Sequence, residues 1–196
     1  MRLDVKLAAC VLSLCALHAH LAAQAADPWF VKSAKPKDFE APKLPWSTIT
    51  IELPKGWQIV SGHSGILMTV AEKTRTNQPG GAIVLEQMRL QDTVLPKDLS
   101  DSTLTFEAAS TRERDPAGQN FQQQIKDASD GRRFIFMQYT RPGLYGPDRV
   151  TQYSVPAGLT LYRVICIVPD ALVAKYQATC AHVAESFRTT AAPATK

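Results

Sequence analysis

The segment Leu161–Val168 constrains the fold more than any other part of the chain, because it is nearly all apolar. A short apolar run of this kind is typical of a strand that is covered on both faces. The residues that follow are apolar at helical spacing and predict a helix with one buried stripe: Leu172, Tyr176, Cys180, Val183 and Phe187. We therefore expect a central strand of a sheet, followed by a helix that packs on it.

Strands and turns are predicted for most of the chain before this segment, where all ten glycines lie between Gly56 and Gly158. The predicted strands are residues 48–53, 66–72, 82–90, 121–128, 132–141, 149–155 and 159–168, and residues 58–60 are a candidate continuation of the sheet after the turn at 54–57. Asp130-Gly131 and Pro156-Ala157-Gly158 are interpreted as hairpin turns between neighbouring strands. The pattern predicts a mainly antiparallel sheet of about six to seven strands.

A second helix is predicted after residues 95–101, which resemble a helix start. Leu104, Ala108 and Thr111 then recur at helical spacing, and the helix must end by Asp115-Pro116. Helices packed over an antiparallel sheet make an α+β sandwich.

The first 25 residues have the composition of a secretory signal peptide. Arg2 and Lys6 precede an apolar run from Leu7 to Leu17, and small residues follow it. This pattern favours cleavage after Ala25, and therefore a periplasmic protein. The alternative is a lipid anchor at Cys15. The apolar run is shorter than the roughly 20 residues that cross a bilayer, and no later segment approaches that length.

The remaining chain is interpreted as three parts: an extended arm rich in proline and lysine (26–46), a single domain (47–190) and a frayed tail (191–196). The arm carries four aromatic residues, Trp29, Phe30, Phe39 and Trp46. They either pin the arm to the domain or dock a partner.

Two segments at opposite ends of the domain carry a resemblance to a known family. One is the opening strand with its turn, Ile49-Thr50-Ile51-Glu52-Leu53-Pro54-Lys55-Gly56-Trp57, and the other is the closing helix that ends Ala184-Glu185-Ser186-Phe187-Arg188. Together with the element order, they resemble the PsbP-like superfamily. That fold is shared by the photosystem protein PsbP and a Ran-binding nuclear import factor. The resemblance implies binding and assembly rather than catalysis, and it implies no catalytic motif.

The residues themselves indicate no catalytic or metal site. Ser61-Gly62-His63-Ser64-Gly65 misses the G-x-S-x-G spacing by one position, so we do not expect His63 and Ser64 to form a catalytic pair. His182 lies off the apolar stripe and is interpreted as a solvated helix histidine. We find no metal-binding motif and no nucleotide-binding motif, and expect no cofactor.

Cys166 and Cys180 are the only cysteines that remain after cleavage at Ala25. An even number of cysteines in an exported protein favours a disulfide between them. The alternative is two free buried thiols.

The segment Arg141–Arg149 is interpreted as a nine-residue loop between two strands. It contains Arg141, Leu144, Tyr145 and Arg149, and tyrosine and arginine are enriched where proteins bind each other. We expect these four residues to contact a partner, with Tyr145 exposed and Arg141 free of internal salt bridges. The alternative is that Leu144 or Tyr145 folds back onto the core.

Charge argues against an anionic partner such as a nucleic acid. The chain has 22 Lys+Arg and 18 Asp+Glu, and cleavage after Ala25 removes Arg2, Lys6 and Asp4, which leaves a net charge of +3. We expect an exported, non-enzymatic binding or accessory protein for an envelope protein or a small ligand. The alternatives are a periplasmic enzyme, such as a hydrolase with a dispersed site, and a carrier of a small apolar ligand. Peripheral membrane association stays open.

Overall fold

The structure is a computed structural model that describes residues 36–46, 48–62, 65–74, 78–128 and 130–190. All of these residues belong to one unit of the chain, Val31–Lys196. The strands are β1 (Phe39–Glu40), β2 (Ile49–Thr50), β3 (Leu53–Pro54), β4 (Gln58–Ser61), β5 (Ile66–Ala71), β6 (Ala82–Val94), β7 (Gln119–Asp127), β8 (Arg133–Gly143), β9 (Gly146–Pro169) and β10 (Arg188–Thr189). The α-helices are α1 (Asp101–Arg114) and α2 (Val173–Ser186).

Six strands form one antiparallel sheet in the order β4-β5-β6-β9-β8-β7. The apolar segment of β9 lies in the middle of this sheet and is buried, as its composition predicts. The sheet with its two helices confirms the predicted α+β class. Two small pairs, β1 with β3 and β2 with β10, lie outside the main sheet.

The predicted hairpin at Pro156-Ala157-Gly158 is wrong, because β9 continues through it as one strand of 24 residues. Up to Ser154 the strand pairs with β8, and from Gly158 onward it pairs with β6. Pro156 lies between the two ladders, where its missing N–H removes no ladder hydrogen bond. Gly158 adopts a φ of 71°, which allows an irregularity in the strand instead of a reversal.

The predicted nine-residue loop at Arg141–Arg149 is also wrong. β8 extends to Gly143 and β9 begins at Gly146, so only Leu144 and Tyr145 form the turn. Pro142 pairs with Pro147 just before that turn. Both prolines lie beyond the ladders with β7 and β6, so their missing N–H groups remove no bond to those strands.

The opening strand predicted at residues 48–53 is divided into β2 and β3, which pair with different strands. Its alternation is still visible in the burial of Ile49, Ile51 and Leu53. The prediction therefore identified the buried face but not the pairing, which depends on chain segments far away in sequence.

α2 covers one face of the sheet through its apolar stripe. Tyr176, Cys180, Val183 and the following Phe187 are buried, and the Phe187 ring lies 5.5 Å from that of Tyr162 on β9. Arg132, just before β8, donates hydrogen bonds to the carbonyl oxygens of Glu185 and Phe187 at 2.7 and 2.6 Å. A guanidinium at this position satisfies carbonyl groups that a helix end leaves without partners.

α1 covers the opposite face and ends before Asp115-Pro116, as predicted. Ala108 packs in a small apolar cluster with Leu99, Ile135 and Met137. Glu107 and Thr111 of the same helix are buried as well. This helix therefore presents a mixed polar and apolar surface to the sheet.

Candidate functional site

The exposed end of the β8–β9 hairpin is the candidate partner-contact site. Leu144 is 88% exposed and Tyr145 is 50% exposed. They stand between Pro142-Gly143 and Gly146-Pro147, and this six-residue tip carries no charge. Gly146 has a φ of 106°, a conformation that glycine adopts without steric cost. We call residues 142–147 the hairpin tip.

The two predicted contact arginines are held by internal ion pairs, contrary to the prediction for Arg141. Arg141 Nη1 lies 3.0 Å from Asp115 Oδ2, and its Nε lies 4.0 Å from Asp148 Oδ2. Arg149 donates to Asp170 Oδ1 from Nη2 at 2.6 Å and from Nε at 3.0 Å. These pairs brace the hairpin instead of presenting cationic groups to a partner.

An aromatic pair, in which Tyr139 is buried and Phe121 is partly buried, lies behind the hairpin. The Phe121 and Tyr139 rings stack with 4.6 Å between centroids. Burial, together with the nearby Asp115 carboxylate, raises the pKa of Tyr139 to about 12. Asp115 thus joins the aromatic pair to Arg141 and so to the base of the hairpin.

A groove of 350 Å³ runs along the hairpin beside its tip. Its walls include Gln119 on β7, Thr140 on β8, and the two prolines of the tip, Pro142 and Pro147. A partner that contacts Leu144 and Tyr145 can therefore also fill this groove.

A buried polar network, which the sequence patterns do not predict, lies between α1 and the sheet. The Glu107 carboxylate accepts two hydrogen bonds from the Arg163 guanidinium, both 2.7 Å long. It also accepts hydrogen bonds from Gln152 Nε2 at 2.7 Å and Ser154 Oγ at 2.6 Å. Glu107, Gln152 and Ser154 are fully buried. We call this group the polar core.

The polar core is completed by groups nearer the surface. Arg163 also donates to Ser110 Oγ at 2.9 Å. Arg114 donates to Gln152 Oε1, and its Nη1 lies 3.4 Å from Glu86 Oε2. Because the charges are paired and the central carboxylate is fully buried, the arrangement fixes α1 on the sheet and leaves no reactive group accessible.

A second polar cluster joins α2 to Glu72, the residue directly after β5. The Tyr176 hydroxyl donates to the carboxylate of Glu72, which also lies 3.0 Å from Lys175 Nζ. Burial favours a higher pKa for Glu72, but hydrogen bonds from Tyr176 and Lys175 outweigh it and hold that pKa below its ordinary value. Burial, with the Glu72 hydrogen bond, raises the pKa of Tyr176. A neutral tyrosine beside an ionised carboxylate is a structural pair rather than an activated nucleophile.

His182 is not the solvated histidine that its position on the helix predicts. Its Nε2 lies 2.7 Å from Glu52 Oε2, and its side chain is mostly buried. Phe39, from the predicted arm, packs on the imidazole with 3.9 Å between ring centroids. Helical periodicity does not predict these contacts, because Glu52 and Phe39 both lie far from His182 in the sequence.

Cys166 and Cys180 lie in disulfide-bonded position between β9 and α2, with Cα atoms 5.8 Å apart. This separation is within the range that a disulfide requires. His63 and Ser64 lie outside the described residues, as do the signal peptide and Cys15.

The described part of the chain contains no group of three or more His, Cys, Asp or Glu side chains placed to hold a metal ion. Among the same residues, no helix is long and apolar enough to cross a membrane.

Comparisons with known proteins identify the fold. No protein-family model matches the chain, and no curated protein matches it by sequence. Among solved structures, it is similar to cyanobacterial PsbP from Synechocystis sp. PCC 6803, with a TM-score of 0.58 and 12% identity over 78% of this chain and 93% of that chain. The Ran-binding protein Mog1p of Saccharomyces cerevisiae has a TM-score of 0.52 and 12% identity over 77% of this chain and 95% of its own.

A third similar structure is LpqN of Mycobacterium tuberculosis, a protein involved in cell envelope biogenesis. Its TM-score is 0.52 at 13% identity, over 82% of this chain and 99% of that chain. At such low identity the likeness concerns the fold, and it confirms the predicted PsbP-like sandwich.

Proposed function

We propose that this chain is an exported, non-enzymatic accessory protein that binds another protein through the hairpin tip. The observation that carries the proposal is the exposure of Leu144, at 88%, beside the half-exposed Tyr145. Burying these two large apolar side chains against a partner would remove apolar surface from water, which is favourable.

The bracing adds to this argument. Because Arg141 and Arg149 are paired internally, the hairpin loses little conformational freedom on binding. The same pairing neutralises the charges nearest to the tip. An uncharged apolar tip fits an apolar cleft in a partner protein better than an anionic membrane surface or a nucleic acid.

A carrier of a small apolar ligand would need an enclosed apolar cavity of several hundred Å³. The space between α1 and the middle of the sheet is occupied by the polar core. A groove of 430 Å³ beside α1 is lined partly by polar side chains, including Arg89, Asp92 and Thr103. These features favour protein binding over the carriage of apolar ligands.

The similar structures support the same class of function. Mog1p is a Ran-binding protein and LpqN is involved in cell envelope biogenesis. For this chain we propose a partner in the cell envelope. The sequence pattern of residues 1–25, which favours a signal peptide cleaved after Ala25, and the bonding position of Cys166 and Cys180 support the periplasm as its location.

Site-specific photo-cross-linking tests the proposal. A benzophenone amino acid placed at position 145 should form one discrete adduct with an envelope protein in intact cells. The same amino acid at position 106 is the matched control, because Phe106 is an aromatic residue with a similar exposure of 55%, on α1. It should give no such adduct.

A second variant makes the result specific. Adding Leu144→Ala to the position-145 cross-linker should abolish the adduct, because the adjacent anchor is lost. Adducts from position 106 and none from position 145 would contradict the proposal. Adducts with lipid from position 145 would replace it with peripheral membrane association.

A further inference from the structure

The two edges of the main sheet differ in how they are protected from pairing with another strand. β7 forms one edge. Its register with β8 is interrupted between Gln119 and Gln122, and Asn120 adopts a φ of 56°. Its exposed positions are polar or charged and include Gln122, Gln124 and Asp127. A bulge and polar side chains of this kind discourage edge-to-edge pairing.

Among the described residues β4 forms the other edge, and it has neither a bulge nor a charged side chain. Its four residues pair with β5 in an unbroken antiparallel register. No charged residue and no proline occurs from Gly56 to Gly62. Ile59 is 54% exposed and Val60 is 51% exposed. Because side chains alternate along a strand, these two β-branched residues lie on opposite faces of the sheet.

A neighbouring strand can pair with the outward backbone groups of β4 and at the same time cover both Ile59 and Val60. Alternate residues of an edge strand direct their N–H and C=O groups away from the sheet. A neighbouring strand hydrogen-bonds to those groups, and its side chains pack against Ile59 on one face and Val60 on the other. A helix or a loop would leave the outward backbone groups of β4 without matching partners.

We propose that β4 pairs with β4 of a second copy of this chain, antiparallel about a twofold axis, so that two sheets join into one. In this arrangement residues 58–60 of β4 lie opposite the same residues of the second copy in reverse order. With Ile59 opposite its own copy, Val60 faces Gln58 of the second copy. No charge meets a like charge, because the strand carries none. Closed twofold dimers are the commonest assemblies of identical chains.

The pairing of two four-residue strands covers less surface than a standard stable interface. The dimer is therefore weak and forms reversibly as the protein concentration rises. It leaves the β8–β9 hairpin outside the contact, since β4 and β5 lie on the far side of β6 from β9 and β8. A dimer would carry two hairpin tips and could bind a repeated partner with higher avidity.

Sedimentation equilibrium of the purified protein from micromolar to millimolar concentration tests this inference. The wild type should shift from monomer to dimer, and Ile59→Lys should raise the dissociation constant roughly tenfold or more, because like charges then lie opposite each other. Phe106→Lys is the matched control, since it places the same charge on a similarly exposed residue away from the edge. It should dimerise as the wild type does.

Mixing variants tests the pairing itself. Ile59→Lys and Ile59→Glu should each be mainly monomeric, while an equimolar mixture should regain the dimer through opposite charges at the twofold axis. Circular dichroism checks that both variants remain folded. A wild type that stays monomeric at every concentration overturns the inference. So does a dimer that Ile59→Lys leaves intact, or one that the mixture fails to restore.

Discussion

The polar core and the hairpin tip both depart from the usual distribution, in which charged groups lie at the surface and large apolar side chains lie inside. The polar core places the charges of Glu107 and Arg163 inside the protein. The hairpin tip places the large apolar side chains of Leu144 and Tyr145 outside it. Both arrangements cost free energy unless something compensates them.

The difference between the two regions lies in where the compensation comes from. Glu107 accepts four short hydrogen bonds from groups of the same chain. Leu144 and Tyr145, in contrast, remain largely in contact with solvent. A region that is satisfied internally has a structural role, whereas an apolar region that stays exposed indicates a binding role.

The largest effect is expected from breaking the polar core. Glu107→Gln should lower the free energy of unfolding by about 3–5 kcal/mol, because it removes the carboxylate that forms both short hydrogen bonds to the buried Arg163 guanidinium and leaves only the more distant Glu86, at 3.9 Å, as an opposite charge. Urea denaturation measures this loss. Glu113→Gln is the matched control, because Glu113 is exposed on the same helix.

The control should change the free energy of unfolding by less than about 0.5 kcal/mol. Equal stabilities of the two variants would show that the polar core does not hold α1 on the sheet and has no structural role.

An intermediate effect is expected on the other face of the sheet, where α2 depends on apolar packing and the Cys166–Cys180 pair. Cys180→Ala should lower the free energy of unfolding by about 3 kcal/mol, since the bond closes a loop with a sequence separation of 14. Reductant should destabilise the wild type in the same way and leave the variant unchanged. Identical urea midpoints of the wild type with and without reductant would show that the two thiols are free.

The sequence predicted α2 better than it predicted the contacts of α1, and the reason is physical. An apolar stripe repeats at helical spacing, so Tyr176, Cys180 and Val183 are visible as a buried face. The polar core has no such period, because its members come from α1 and β9. One signal was present: Arg163 interrupts an apolar strand, and a buried charge requires a partner.

The hairpin was mispredicted because glycine and proline were interpreted as signs of a long loop. In the structure Pro142 and Pro147 face each other at the end of a ladder, where neither neighbouring strand reaches. The predicted exposure of Tyr145 is confirmed, whereas the contact of Leu144 and Tyr145 with a partner stays a prediction. The ion pairs of Arg141 and Arg149 were not predicted, because Asp115 and Asp170 approach them only in the folded chain.

The smallest effect on stability, and the most direct test of the binding role, is expected from the hairpin tip. The double variant Leu144→Ala/Tyr145→Ala should keep its free energy of unfolding within about 0.5 kcal/mol of the wild type, because the side chains it removes are largely exposed. In the same preparation, chemical cross-linking to the envelope partner should fall to the background level. A variant that unfolds would place the two side chains in the core, and one that cross-links as strongly as the wild type would contradict the account.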